Sequence, residues 1–367
     1  MSCDVFQLAQ QGVQGLKPYQ PGKPIEELER EYGIQNAVKL ASNENPLGIS
    51  AQVKQAIQHI LPELARYPDG NGFILKQALA AKHQVDMDCI TLGNGSNDVL
   101  ELIARVFLSP ELAAMYSQHA FAVYPLVTQA IGAKHNAVAA KNWGHDLTAM
   151  QAALTPETRV IFIANPNNPT GTWVKQAELK AFLQAVPEDK IVVVDEAYIE
   201  YVAEADYPDA SQWLSEFPNL IVTRTFSKAY GLASLRVGYA LSHPKVTNLL
   251  NRVRQPFNVN QFALVAATAA LQDTQYIQDS IKLNQAGMRQ LVGAFNSMGL
   301  SYIPSVGNFI AVDVGQGDEI YNALLHKGVI VRPVTAYQMP QYIRVSIGTE
   351  AENTQFIQAI KSCLNNK

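Results

Sequence analysis

A lysine with hydroxyl and arginine neighbours is the most chemically suggestive pattern in the sequence. Thr225 and Ser227 precede Lys228, and Arg236 follows the lysine by eight residues. Hydroxyl and guanidinium groups bind anions such as phosphate, and a lysine amine can act as a nucleophile. The segment therefore predicts a phosphate held beside a reactive amine. For the Ser227-Lys228 pair alone, a solvated lysine at a strand end is the alternative.

Polar residues also follow two apolar stretches that predict strands. Asp195 comes directly after Ile191–Val194, and Asn168 lies in a loop with two prolines after Val160–Ala164. Open α/β sheets bind ligands at the carboxyl ends of their strands. Asp195 is therefore expected to contact a ligand, although a helix cap or a metal carboxylate is an alternative role. Asn168 could present its amide to a ring oxygen or serve as a turn residue.

A glycine-rich turn lies between a predicted strand and a predicted helix. Its residues Gly95, Ser96 and Asn97 would place free backbone N–H groups at a helix N-terminus, which favours an anion. The spacing fits neither a dinucleotide-binding fingerprint nor a P-loop, so the sequence gives little support for those ligands. The turn is weak evidence when considered by itself.

Long apolar stretches predict the elements that position these residues. They are continuous rather than alternating, which indicates strands buried on both faces of a mostly parallel sheet flanked by helices. The predicted strands of this sheet are Cys89–Leu92, Ala113–Tyr116, Val160–Ala164, Ile191–Val194, Leu220–Arg224 and Val237–Leu241. Predicted helices include Ile25–Tyr32, Asp98–Phe107, Lys175–Val186, Gln261–Gln272 and Tyr276–Met298. Short strands at Phe309–Val312, Val329–Val331 and Tyr342–Ile347, with helices at Asp318–Lys327 and Glu350–Leu364, predict a smaller α+β unit.

The pattern divides the 367 residues into four regions. We expect an N-terminal arm over 1–45, rich in proline, glycine and charge, and a large domain over 46–255. Long helices over 256–299 would connect it to a small C-terminal domain over 300–367. The arm needs another surface on which to lie, and we assign it to the small domain.

Composition excludes several classes of protein. A formal net charge of -4 provides no general field for nucleic acid or an acidic membrane surface. The three cysteines have neither disulfide nor zinc spacing, and the seven histidines have no metal-binding spacing, so we expect no metal and a cytoplasmic location. No stretch is long and apolar enough for a membrane span, and the first residues lack a signal-peptide pattern.

Taken together and in order, these motifs resemble the aspartate-aminotransferase-like superfamily of pyridoxal phosphate enzymes, fold type I. The arm segment 18–24, the run 40–48 and the segment Arg66-Tyr67-Pro68-Asp69 resemble the histidinol-phosphate aminotransferase family. The resemblance implies a large cofactor domain with a mostly parallel sheet and a smaller α+β domain. It also implies pyridoxal 5'-phosphate as the cofactor.

The resemblance implies a role for each motif residue. Lys228 would bond covalently to the cofactor aldehyde and then carry the proton, and Asp195 would pair with the pyridine nitrogen. Asn168 and Tyr198 would contact the ring hydroxyl oxygen, and Phe121 would stack on the ring where many relatives have tyrosine. The implied phosphate cup consists of Gly95, Ser96, Asn97, Thr225, Ser227 and Arg236, with Tyr67 reaching across from the partner subunit of a homodimer. Many relatives carry an acidic residue where this chain has Asn97. Implied substrate contacts are Tyr19, Asn43, Arg332 and Arg344.

The activity implied by the resemblance is reversible amino-group transfer between L-histidinol phosphate and 2-oxoglutarate, giving imidazole acetol phosphate and glutamate in histidine biosynthesis. A guanidinium can hold either a phosphate or a carboxylate, so one pocket can accept both substrates. An aminotransferase with broad or aromatic specificity is the near alternative. A cofactor-binding regulator without catalysis is a remote one, because the chain shows no basic DNA-binding extension.

Overall fold

The computed structural model describes residues 3–18 and 22–365. Their strands are β1 (Val38–Lys39), β2 (Ile90–Gly93), β3 (Ala113–Ser117), β4 (Lys134–Val138), β5 (Thr158–Ala164), β6 (Ile191–Asp195), β7 (Leu220–Thr225), β8 (Gly238–Ser242), β9 (Tyr302–Ile303), β10 (Phe309–Asp313), β11 (Val329–Ile330), β12 (Arg332–Pro333) and β13 (Tyr342–Ser346). Their α-helices are α1 (Gln11–Gln14), α2 (Ile25–Tyr32), α3 (Ala51–Ile60), α4 (Phe73–His83), α5 (Ser96–Phe107), α6 (Val123–Ile131), α7 (Leu147–Ala152), α8 (Gln176–Ala185), α9 (Pro244–Val253), α10 (Gln261–Gln272), α11 (Thr274–Ser297), α12 (Gly317–Leu325) and α13 (Glu350–Asn365).

Among the described residues, seven strands form the large sheet in the order β2-β8-β7-β6-β5-β3-β4. Neighbours from β7 through β4 run parallel, and β8 is antiparallel to both β2 and β7. The α/β fold with a mostly parallel sheet is therefore confirmed. The chain order places the carboxyl ends of β5, β6 and β7 at one edge, where ligands bind in such sheets.

Successive side chains of β5 point to opposite faces of the sheet, which explains why its apolar run is continuous. Val160 and Phe162 pack into one hydrophobic cluster, whereas Ile161 and Ile163 pack into another on the opposite face of the sheet. Successive strand residues point to opposite faces, so a sheet covered by helices on both sides requires apolar side chains at every position. The predicted interpretation of this run is correct.

The smaller unit combines C-terminal strands with part of the arm. In the order β12-β13-β10-β9, the four strands form an antiparallel sheet. Helices α11 and α13 cover it through residues such as Phe295 and Phe356. From the arm, β1 pairs in parallel with β11, and Leu28 of α2 packs beside Ile330. The arm thus contributes to the small α+β unit, as predicted.

Several boundaries differ from the predicted ones, and two of the differences matter for the site. Helix α5 begins at Ser96 rather than Asp98, so Ser96 and Asn97 belong to its first turn. The predicted strand Val329–Val331 is shortened to β11, and Val331 separates it from β12, which pairs with a different partner. Strand β4 was missed because it is an edge strand with mostly exposed or half-buried side chains and no apolar run.

Candidate active site

A cavity of about 510 Å³ lies between the carboxyl edge of the large sheet and the small sheet. Most of the predicted site residues line it. They are Asn43, Ser96, Asn97, Phe121, Asn168, Asp195, Tyr198, Thr225, Ser227, Lys228, Arg236, Arg332 and Arg344. Gly95 adjoins the wall through its contact with Arg236, Tyr67 lies elsewhere, and Tyr19 falls outside the described residues.

Lys228 follows β7 by three residues and is half-buried. Its Nζ donates to the backbone oxygen of Ser42 at 2.9 Å and lies 5.8 Å from the centre of the Tyr198 ring. Burial, assisted by the positive charge of Arg344, lowers the pKa of Lys228 to about 7. The amine is therefore partly unprotonated and nucleophilic near neutral pH.

Asp195 ends β6 with its carboxylate buried at the cavity wall. Oδ2 accepts from the Tyr124 hydroxyl at 2.8 Å, and Oδ1 accepts from Thr223 Oγ1 at 2.9 Å. Burial raises the pKa of Asp195, and the two hydroxyl donors oppose that rise. Among the described residues its side-chain hydrogen bonds come from neutral hydroxyls, and a buried carboxylate held in this way suits a cationic group on a ligand.

Two amides converge on the hydroxyl of Tyr198. Asn43 Nδ2 lies 2.9 Å and Asn168 Nδ2 lies 3.3 Å from the phenolic oxygen. Asn168 Oδ1 in turn accepts from Arg344 Nη1, and Arg344 Nη2 donates to the backbone oxygen of Ala41 at 2.7 Å. Burial raises the pKa of Tyr198 to about 12, so its hydroxyl keeps its proton and can donate it to a ligand oxygen.

The N-terminus of α5 and the residues after β7 present backbone N–H groups, hydroxyls and a guanidinium that could hold an anion. Gly95 precedes α5 at φ 85°, and a Cβ built on it would lie 2.5 Å from an Arg236 guanidinium nitrogen. The backbone angle therefore favours glycine, and a larger residue would also displace the Arg236 guanidinium. Arg236 Nη1 donates to Ser227 Oγ at 3.3 Å, and the Ser227 N–H donates to Thr225 Oγ1 at 3.1 Å.

Arg332 and Arg344 are cross-strand neighbours on the small sheet. They are register partners between β12 and β13, and both line the cavity. The guanidinium of Arg344 also lies 5.3 Å from the centre of the Phe309 ring. Two guanidinium groups on adjacent strands provide a site for a phosphate or a carboxylate.

Two predicted aromatic residues have different locations. Phe121 lines the cavity and meets the Tyr124 ring edge to face, with 5.8 Å between ring centres. Tyr67 is 82% exposed and stacks on Phe257 at 4.7 Å, away from the cavity wall of its own chain.

Three contributors to the site were not predicted from the sequence. Ser42 accepts from Lys228, while Tyr124 and Thr223 hold Asp195. Two of them follow from spacing once the elements are known. Thr223 is the β7 register partner of Asp195, and Tyr124 lies three residues after Phe121, in the first turn of α6. Ser42 acts through its backbone oxygen, so its side-chain type carries no signal.

Residues 3–18 and 22–365 contain neither a membrane-spanning helix nor a cluster of metal ligands. None of the helices there is long and apolar enough to cross a membrane. Within the same residues, no group of three histidine, cysteine, aspartate or glutamate side chains is arranged to hold a metal ion.

Comparisons with known proteins agree with this geometry. The family model for aminotransferase class I and II matches residues 35–360. The chain is 60% identical to histidinol-phosphate aminotransferase 1 of Nitrosococcus oceani over 98% of its own length and 97% of the relative's. It is also 60% identical to histidinol-phosphate aminotransferase 2 of Pseudomonas fluorescens Pf-5 over 99% of both chains.

A solved structure supports the same relationship. Histidinol-phosphate aminotransferase from Sinorhizobium meliloti, determined in complex with pyridoxal-5'-phosphate, superposes with a TM-score of 0.89 at 29% identity, covering 97% of each chain. The protein described here therefore belongs to the class I and II aminotransferases, and within them to the histidinol-phosphate aminotransferase family.

Proposed function

We propose that the protein transfers an amino group between L-histidinol phosphate and 2-oxoglutarate, giving imidazole acetol phosphate and glutamate in histidine biosynthesis. One observation carries the proposal. A single cavity contains the Lys228 amine of lowered pKa, the Asp195 carboxylate and the paired arginines of the small sheet. Family membership at 60% identity supports the same reaction.

The residues of the cavity fit pyridoxal 5'-phosphate. The glycine at position 95 leaves room for the Arg236 guanidinium beside the first turn of α5. There, a phosphate would accept hydrogen bonds from backbone N–H groups. Asp195 would face the pyridine nitrogen, and Asn168 and Tyr198 the ring hydroxyl. When bound, this cofactor supplies an aldehyde that carries the amino group and a ring that withdraws electrons.

Lys228 supplies both nucleophilic and acid–base chemistry. An amine with a pKa of about 7 can accept a proton from the substrate Cα and return it elsewhere without a large energetic cost. Asp195 would place negative charge beside the ring nitrogen, and Phe121 would cover one face of the ring.

Arg332 and Arg344 would receive the anionic end of each substrate. Histidinol phosphate presents a phosphate, whereas glutamate presents carboxylates, and a guanidinium pairs with either group. Asn43, whose amide contacts Tyr198, would border the same end of the cavity. We also assign Tyr19 to this pocket, although it lies outside the described residues.

We also propose that the enzyme is a homodimer in which Tyr67 contacts the cofactor phosphate of the partner subunit. An 82% exposed tyrosine stacked on the half-exposed Phe257 supports this assignment. The exposed side chains of Phe73 and Ile74 are consistent with a subunit contact at the start of α4. Light scattering should give twice the mass of the chain, and a Tyr67→Phe variant should bind the cofactor more weakly than wild type.

The division into residues 1–45, 46–255, 256–299 and 300–367 is likewise proposed. Helix α10 packs against α3 and α4, whereas α11 packs against α13. The connecting region 256–299 therefore contacts both the large domain and the small C-terminal domain. We assign the enzyme to the cytoplasm. The free thiols of Cys3, Cys89 and Cys363 suit a reducing compartment.

A glutamate-forming assay tests the activity directly. Purified protein with pyridoxal phosphate and 2-oxoglutarate should use L-histidinol phosphate with a higher kcat/KM than phenylalanine or tyrosine. The reverse order would instead favour an aromatic aminotransferase. Lys228→Ala should abolish turnover while retaining part of the cofactor affinity through the phosphate contacts, and wild-type rates in that variant would exclude the proposed chemistry.

A further inference from the structure

Both oxygens of Asp195 are held by hydroxyl groups that carry no charge. The Tyr124 hydroxyl donates to Oδ2 at 2.8 Å and Thr223 Oγ1 donates to Oδ1 at 2.9 Å. Neither residue lines the cavity, so each would act on a ligand through the cavity residues it contacts, Asp195 among them. The carboxylate is consequently fixed in orientation before any ligand binds.

The packing of Tyr124 leaves its hydroxyl little freedom. The side chain is fully buried, and its ring stacks on Phe162 with 4.7 Å between centres and 6° between planes. On another side it meets Phe121 edge to face at 5.8 Å. Tyr124 therefore contacts both Phe121, which is proposed to cover the ring face, and Asp195, which is proposed to face the ring nitrogen.

We infer that Tyr124 is a positioning residue that keeps Asp195 ionised and aimed at the cofactor's pyridine nitrogen. The inference rests on the proposed role of Asp195 in the aminotransferase reaction. Burial works against the charged carboxylate, whereas hydrogen bonds to its oxygens stabilise the charge. Loss of the Tyr124 donor removes one of the two stabilising bonds and leaves Oδ2 without its partner.

The surroundings of Asp195 identify which groups can affect its ionisation. From β7 it faces Thr223, from β5 its register partner is Ala164, and from α6 it faces Tyr124. The charge of Asp195 also acts on Tyr198, the next tyrosine along its own segment. Tyr124 and Tyr198 are both phenols whose pKa burial raises, so neither ionises in the range where Asp195 titrates.

A Tyr124→Phe variant of the holoenzyme tests the inference, with Tyr116→Phe as the matched control. Tyr116 belongs to the same hydrophobic cluster and loses one hydroxyl contact, to His135 at 2.6 Å, away from Asp195. Tyr124→Phe should lower kcat at neutral pH by about 10- to 100-fold, the usual worth of a hydrogen bond to a charged group. The acid limb of its pH–rate profile should move to higher pH, and the dissociation constant for pyridoxal phosphate, measured by dialysis, should rise. Tyr116→Phe should leave all three quantities unchanged.

The Thr223 variants provide a second test that does not depend on the folding of Tyr124→Phe. Thr223→Ser keeps the hydroxyl donor and should resemble wild type, whereas Thr223→Val should show a smaller version of the Tyr124→Phe changes.

An unchanged acid limb and cofactor affinity in folded Tyr124→Phe would overturn the inference. Asp195→Asn separates the two proposals: if it alters cofactor affinity while Tyr124→Phe does not, only the role of Tyr124 fails. If Asp195→Asn also leaves that affinity unchanged, the proposed role of Asp195 fails, and the inference fails with it.

Discussion

Asp195 and Glu196 are adjacent buried carboxylates with opposite surroundings. Asp195 faces the cavity with hydroxyl partners, including Thr223 on β7. Glu196 faces the other side of the sheet, where Arg224 donates to its Oε2 from Nε at 2.9 Å and from Nη2 at 2.7 Å. Asp195 ends β6 opposite Thr223, and the residues that follow them, Glu196 and Arg224, form the second pair on the opposite face.

The difference separates a binding carboxylate from a structural one. The charge of Glu196 is neutralised by Arg224, which also contacts Asp209. Within the described part of the chain, the side-chain donors to Asp195 are neutral hydroxyls, so its charge stays available to a cationic group in the cavity. We call the side of the sheet that carries Glu196 and Arg224 the far face. Beside Arg224, burial lowers the pKa of His83 to about 3, which keeps that imidazole neutral and leaves Arg224 as the cation of the far face.

The cations of the two faces, Arg224 and Lys228, also differ in how firmly they hold a proton. The neighbouring carboxylates hold the pKa of Arg224 well above its usual value, against the effect of burial, so the guanidinium stays charged. Burial and Arg344 lower the pKa of Lys228 to about 7, so the amine exchanges a proton near neutrality. The cation of the far face is thus fixed, whereas the cation of the cavity face can gain or lose its proton near neutral pH.

Competitive labelling of lysines in cofactor-free protein sharpens this comparison and has the largest expected effect. At pH 7 the fraction of Lys228 present as free amine should exceed that of an ordinary surface lysine about 10³-fold, because the pKa values are about 7 and 10.5. Trace acetylation followed by peptide mass spectrometry should show Lys228 labelling that rises with pH through a midpoint near 7. A midpoint near 10 would mean that the cavity does not lower its pKa.

Neutralising each carboxylate compares the two faces directly. Asp195→Asn should lower kcat by about 10²–10³-fold, because a charge aimed at the reacting ring is lost. Glu196→Gln should keep kcat within a few fold of wild type while lowering the midpoint of thermal unfolding, because Arg224 loses its main buried partner. Steady-state kinetics and calorimetry on both variants provide the measurements. Equal kinetic losses would remove the distinction between the faces.

Much of this arrangement could be predicted from the sequence because strand alternation follows simple rules. The apolar run before Asp195 predicts both its position at the strand end and the opposite orientation of Glu196. The motif residues around Lys228 likewise line one cavity. These features depend on local sequence and on the fixed geometry of parallel strands.

The partners of Asp195 could not be predicted in the same way. Tyr124 reaches Asp195 from a helix 71 residues earlier in the chain, and Thr223 reaches it from the next strand. At Val331 the chain passes from the two-stranded sheet to the four-stranded sheet, which places Arg332 opposite Arg344. This change of sheet also depends on tertiary pairing. Local periodicity carries no information about such contacts until the order of the strands is known.

Removing the far-face cation should affect stability rather than chemistry. Arg224→Met leaves the fully buried Glu196 without its cation and should lower the free energy of unfolding by about 3–5 kcal/mol. Urea denaturation of the cofactor-free protein measures this loss. The double variant Arg224→Met/Glu196→Gln should recover part of it, because no unpaired charge remains. A single variant as stable as wild type would show that the ion pair contributes only local packing.

The smallest expected effect lies at the exposed border of the far face. Lys82 donates to the Tyr230 hydroxyl at 3.0 Å, but its side chain is exposed and makes no contact with Glu196 or Arg224 among its hydrogen bonds. Lys82→Met should change the free energy of unfolding by about 0.5 kcal/mol or less and leave kcat unchanged, because solvent screens an exposed cation. A loss comparable to that of Arg224→Met would mean that the network draws its stability from the surface. The contrast between the two faces would then depend on solvent-exposed charge rather than on the buried pair.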